Sequence, residues 1–152
     1  MDGLQLKQEV HQHYMQLVQD RIDAFKDMIA ALAEDSRNDA KGSAGDKHET
    51  ALSMMHIEQE KLNRKLQEFL EQKKILERIN PNVRHDKISV GSLITANGKH
   101  FFVAAALPKI TVGETSVIAL SPQSPLGSFM VGKTLGDSFR INDSPYYIEA
   151  VY

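Results

Sequence analysis

Between Leu4 and about Asp35 the chain has neither proline nor glycine, and its apolar residues fall at Val10, Tyr14, Leu17, Val18, Ile22, Phe25, Ile29 and Leu32. From Val18 onward the steps alternate four and three residues, which is the spacing of a heptad seam. A second stretch, Asp46 to Asn80, repeats the pattern with Leu52, Met55, Leu62, Leu66, Phe69 and Leu76. Gln59 and Lys73 interrupt it, Leu70, Ile75 and Ile79 widen it, and Pro81 ends it. A single helix cannot bury such a stripe alone in water. The intervening Ser36–Gly45, "SRNDAKGSAG", is short and rich in turn formers. A short link makes neighbouring helices antiparallel. Residues 1–80 are therefore expected to form an antiparallel helical hairpin with its tip at about 36–49. Each helix would have about 30 residues and a length of about 45 Å.

The remaining residues obey different physics. Residues 1–80 hold 12 basic and 15 acidic side chains, against 6 and 5 in 81–152, while all five prolines lie at or after Pro81. Short apolar runs, "KISVGSLITA", "KHFFVAAAL", "TSVIAL", "DSFRI" and "YYIEAVY", read as strands. Asn97-Gly98 is expected to close a hairpin, and Asn142–Pro145 to make another turn. "SPLGSFMVG" reads as a short helix, with Ser124 as its cap, Pro125 at the first position and Gly132 as its stop. Residues 82–152 should thus form a small, strongly bent sheet of four to six strands with one helix, an α+β chain in all. Phe101, Phe102, Phe129, Phe139, Tyr146 and Tyr147 are expected to build its core.

Composition removes several functions. There is no cysteine, hence no disulfide or thiolate chemistry. No apolar run nears the roughly 20 residues of a membrane span, and the first residues lack the pattern of a signal peptide. A cytoplasmic protein without a membrane partner is the expectation. The net charge of -2 gives no sign of direct nucleic-acid binding. The histidines lack zinc-ligand spacing, and no phosphate-loop, nucleophile-elbow or dinucleotide motif is present.

The strongest candidate site is the stretch "AGDKHETA", Ala44 to Ala51. Asp46 and Glu49 stand three residues apart and share a face if the second helix starts there. Two readings are open. The pair could cap the helix and suit its dipole, or it could be a working tip that supplies carboxylates to a metal. Arg37, Lys41 and Lys47 surround it, either as solvated loop charge or as contacts to phosphate.

A helical hairpin followed by a small sheet with "SPxxxxxxGKxxGD" resembles the GreA/GreB family of bacterial transcript cleavage factors. The resemblance rests on Gly45–Ala51, similar to that family's G-D-x-x-E-N-A, on "VGSLI" at Val90–Ile94, and on Ser121–Ile141. It covers essentially the whole chain. Thr50 stands at the family's asparagine, and Leu52 and Ser53 where an acid and a tyrosine are usual. The resemblance implies an antiparallel coiled coil plus a small antiparallel β domain similar to FK506-binding proteins, with one short helix. It implies a bacterial RNA polymerase partner, reached with the nascent RNA 3′ end through the secondary channel. Asp46 and Glu49 would then be the catalytic acids, holding Mg²⁺ jointly with the polymerase, and Arg37, Lys41 and Lys47 would contact polymerase or RNA at the tip. Ser124, Pro125, Gly132, Lys133, Gly136 and Asp137 would belong to the surface that docks on the enzyme. The chain would be no enzyme alone, would need no cofactor of its own and would act as a monomer. The alternatives are a channel-binding regulator or inhibitor without cleavage activity, and a plain coiled-coil adaptor.

Overall fold

A computed structural model of the chain describes residues 2–42 and 46–152, with side chains described outside 39–48. Along the sequence run α1 (Gly3–Gly42), α2 (Asp46–Glu77), β1 (Leu93–Ala96), β2 (Lys99–Val103), β3 (Ile110–Val112), β4 (Thr115–Leu120), α3 (Pro125–Met130), β5 (Ser138–Ile141) and β6 (Ser144–Val151). The class is α+β. Among the described residues no helix is long and apolar enough to cross a membrane. The chain divides into two compact units, Leu17–Lys73 and Met1–Gln16 with Lys74–Tyr152.

In the unit Leu17–Lys73 the two helices meet along the heptad positions. Phe25 packs edge-on against Phe69, with ring centroids 5.0 Å apart. Arg21 and Lys65 lay their cations over the same ring. The Ser36 hydroxyl donates to Met55 Sδ at 3.2 Å. Partners fall from 69 to 55 on α2 as they rise from 25 to 36 on α1, so the helices are antiparallel there. Val18, Ile22 and Phe69 are buried, while Ile29, Leu32, Leu52, Met55, Leu62 and Leu66 are half-buried.

One boundary differs from expectation. Residues 36–42 continue α1 instead of forming the link. Ser36 lies four residues past Leu32, so it stays on the seam and meets Met55. The exposed Arg37 pairs with Glu34 one turn back. Turn-forming composition is a weak preference, and these helical contacts outweigh it.

The other unit is a six-stranded sheet in the order β3-β4-β2-β1-β6-β5. Asn97 and Gly98 both have positive φ, the geometry of a two-residue turn joining β1 to β2. Asn142 and Asp143 do the same between β5 and β6. The sheet is not wholly antiparallel, as had been expected. β2 and β4 run parallel, because the chain leaves β2, builds the β3–β4 hairpin and returns beside β2 in the same direction.

Side chains alternate between the two faces of the sheet. One face holds Ile94, Ala96, Phe101, Val103 and Ile148, packed with Met130 of α3. On the other, Phe102 stacks on Tyr14 of α1 with centroids 6.0 Å apart. The Tyr14 hydroxyl donates to the Pro108 carbonyl at 2.7 Å. Leu6 and Val10, on the same helix face, are buried too. The start of α1 is capped by Asp2, whose carboxylate accepts from the Gln5 N–H at 2.8 Å while the Gln5 side chain accepts from the Asp2 N–H.

The aromatic core differs from expectation as well. Phe101 and Phe102 are buried, but Phe129 and Tyr147 stay 45% and 58% exposed. Phe139 is half-buried and packs on the core, and it stacks between Phe129 and the half-buried Tyr146, with centroids 5.8 and 5.2 Å apart. These residues sit on α3 and on the strand pair β5–β6.

Because Tyr14 is buried and its hydroxyl is the Pro108 partner, Tyr14→Phe should lower unfolding free energy by about 1–3 kcal/mol. Urea denaturation measures this, and an unchanged midpoint would show that the bond contributes nothing.

Candidate functional site

The residues singled out by sequence lie in two places. At the helix junction α2 begins at Asp46, so positions 46 and 49 occupy one turn. Glu49 is exposed. The side chains of Asp46, Lys41 and Lys47, and Gly45 altogether, lie outside the described residues. Arg37 belongs to α1, where the Glu34 carboxylate engages it. That pair is solvent-exposed and adds little stability, so Arg37 can exchange partners readily. Among the described residues, no group of three or more His, Cys, Asp or Glu is placed to hold a metal ion.

The second set, Ser124 to Asp137, is brought together in the loop-and-helix segment beside the sheet, and each member has a visible structural task. Ser124 caps α3: its Oγ accepts from the Gly127 N–H at 3.0 Å and donates to the Ser121 carbonyl at 2.7 Å. Pro125 takes the first helical position, where no amide donor is needed. Gly127 must be glycine, since a Cβ there would lie 2.1 Å from the Ser121 oxygen. Gly132 and Gly136 adopt positive φ, at 88° and 89°. The Lys133 carbonyl accepts from the Ile88 amide at 2.9 Å. The Asp137 carboxylate closes its turn by accepting from the Thr134 amide at 2.8 Å and from its hydroxyl at 3.2 Å.

Just before this segment, Ser121, Pro122 and Gln123 form one wall of a groove of about 660 Å³. Ala104, Ala105 and Ala106 line it as well, together with Ile75, Ile79, Val90 and Arg78. Small and apolar lining residues leave room for a side chain from outside, and a guanidinium such as that of Arg78 can pair with a carboxylate. Sequence reasoning had placed Ile75 and Ile79 on the helix stripe and had not identified this groove. The alanine run after β2 was its one sequence signal.

Sequence reasoning also missed a polar network under α1. Lys7 is fully buried, and its ammonium donates to the Val83 carbonyl at 2.7 Å. Burial pushes its pKa down to about 8. Its signal was positional: Lys7 lies three residues before Val10 and seven before Tyr14, on the apolar face.

No family model matches the chain, and no curated protein matches it by sequence.

The Ser124 cap is separable from any partner contact. Ser124→Ala should cost about 1 kcal/mol of stability, read as a lower thermal midpoint, whereas Ser124→Thr, whose hydroxyl can still accept from Gly127 and donate to Ser121, should cost less. Equal midpoints for wild type and Ser124→Ala would remove the cap's role.

Proposed function

We propose that the chain is a transcription elongation factor of the GreA/GreB kind. It binds bacterial RNA polymerase, places the junction of its two helices in the secondary channel and stimulates cleavage of backtracked RNA. The observation that carries this reading is the start of α2 at Asp46, with Glu49 exposed in the same turn, at the junction of an antiparallel helix pair. We read this pair as an exposed tip and not as an enclosed site. It can act only on a substrate that another molecule presents.

Magnesium suits two such acids. It is a hard ion that keeps several waters and commonly takes one or two carboxylates. A second ion at a phosphoryl centre supplies an activated water and stabilises in-line displacement. Asp46 and Glu49 would provide two ligands and the polymerase the rest, so the nuclease activity would belong to the polymerase. Arg37, Lys41 and Lys47 would neutralise RNA phosphate. The six-stranded sheet would be the FKBP-like domain, and its groove by Pro122 would receive an apolar side chain of the polymerase next to an acidic one paired with Arg78.

Two measurements test the reading. In a backtracked elongation complex, wild type should shorten the transcript, and the double variant Asp46→Ala, Glu49→Ala should lose that activity while still binding core polymerase. Slowed elongation without shortening would instead make the protein a channel-bound regulator. Val90→Glu, which puts a charge on the groove wall, should weaken binding to core polymerase by about tenfold or more. Binding unchanged in this variant would move the docking surface elsewhere, and no binding by wild type would end the proposal.

A further inference from the structure

Lys7 and Ser92 are buried polar side chains, and His85 hydrogen-bonds to the second of them. His85 Nδ1 lies 2.6 Å from Ser92 Oγ and 3.3 Å from Ser89 Oγ. Ser92 Oγ also accepts from the Ser89 N–H at 3.0 Å. The Ser92 hydroxyl hydrogen therefore has one good destination, the lone pair of a neutral His85. The Lys7 ammonium opposes a charge on the imidazole.

We propose that Lys7, His85 and Ser92 form an acid-opened latch that fastens the first turns of α1 to the 79–92 segment ahead of β1. The site accommodates one positive charge. A proton taken from solvent onto His85 Nδ1 puts a second cation beside Lys7. It also turns the Nδ1–Ser92 bond around, leaving the buried hydroxyl hydrogen without an acceptor. No carboxylate is on hand to compensate, since among the described residues neither Lys7 nor His85 has an acidic partner within ion-pair distance. The neighbouring groups do not help. Arg84 lies over the Tyr152 ring, Asp86 and Lys87 are exposed, and His11, one turn beyond Lys7, donates from Nε2 to the Leu76 carbonyl.

The attachments that would loosen are specific. Lys7 holds the Val83 carbonyl. The Ser92 amide donates to the Ser89 carbonyl at 3.0 Å, and the Gly91 amide to the Val103 carbonyl at 2.7 Å. Gly91 has φ 96°, and a Cβ there would come within 2.8 Å of Ile79, so the turn is tightly seated.

The sign of the pH effect follows from linkage. The Lys7 amine, at about 8 against an ordinary 10.5, loses its contribution as pH falls from above 10.5 through 8. His85 is held below its ordinary 6.5, first by burial and then by Lys7. Unfolded or opened chains bind its proton more readily, so its contribution is present above 6.5 and is lost as pH falls through the lowered value. Lys7 is already mostly protonated at neutral pH, so of the two groups His85 carries the further change on acidification, and acid opens the latch.

Amide hydrogen exchange and imidazole NMR on the full chain test this without any partner. As pH falls from neutral through the His85 midpoint read by NMR, protection of Gly91 and Ser92, corrected for intrinsic exchange, should fall about tenfold or more while Phe102 keeps its protection. His85→Asn, whose amide oxygen can accept from Ser92 and does not titrate, should abolish that pH dependence. Lys7→Met should raise the His85 midpoint toward the ordinary imidazole value. Protection at Gly91 and Ser92 that holds below the measured His85 midpoint, or a loss shared equally by Phe102, would overturn the latch on wild type alone. A His85 midpoint unmoved by Lys7→Met would remove Lys7 from it.

Discussion

A lone sheet has two faces, and both faces of this one are apolar, so each needs a cover. Met130 and Leu126 of α3 supply one, packed on Ile94, Phe101, Val103 and Ile148. The other comes from the opposite end of the sequence, where Leu6, Val10 and Tyr14 are buried and Tyr14 lies flat on Phe102. Burying large apolar side chains contributes roughly 1.5–3 kcal/mol each, and a six-residue helix such as α3 covers only one side. That requirement explains why residues 2–16 belong to the sheet's unit although the sheet begins at Leu93. It also explains the buried charge. Position 7 lies on the face that holds 6, 10 and 14, and the Val83 carbonyl is the acceptor that makes a lysine there tolerable.

What could be read in the sequence was what short-range physics decides. The heptad steps at Ile22, Phe25, Phe69 and Leu76 are the contact face of the helices. The turns Asn97-Gly98 and Asn142-Asp143 have the positive φ that their residue types favour. Ser124-Pro125 starts a helix because its cap and its first position are written in adjacent residues. What could not be read was set by distant partners. The parallel β2–β4 pair depends on a return path that no local pattern encodes. Phe129 and Tyr147 are aromatic like Phe101, yet they are exposed, one on α3 and the other on β6, and their residue types alone do not say so. Lys7 looked like one more charge on a charged helix until the sheet closed over it. At the candidate site the spacing of Asp46 and Glu49 was legible, and so was the start of α2. The groove was not, because its lining comes from the end of α2 and the residues just after it, the turn before β1, the alanine run after β2 and the loop before α3.

The helix pair shows how far two helices alone can go. Val18, Ile22 and Phe69 are buried, yet Leu52, Met55, Leu62 and Leu66 remain half-exposed on the seam. Two cylinders in contact enclose a line, not a volume, so a heptad seam without a third element keeps wet edges. Polar residues fit there: Gln59 takes a seam position half-buried. Gln72 leaves its buried Oε1 without a hydrogen-bond partner, at a cost of about 1–3 kcal/mol. Such a seam sets register and direction more than it adds stability.

The same helix physics bears on whether Asp46 and Glu49 can serve a metal. The first turn of α2 points free amides outward and carries the positive end of the helix dipole, equivalent to about half a unit charge. Carboxylates are stabilised there, which alone is reason enough for acids at both positions. A cation is disfavoured there by the same field. Each carboxylate has about four lone-pair sites, so capping one amide leaves capacity for an ion. Two acids must nevertheless hold that ion against the dipole and against its own hydration. A helix start with two carboxylates is therefore a poor magnesium site by itself, and a useful half of one where a second protein contributes further acids and a substrate phosphate. The ion would be held only while both halves are together, which confines the chemistry to the complex.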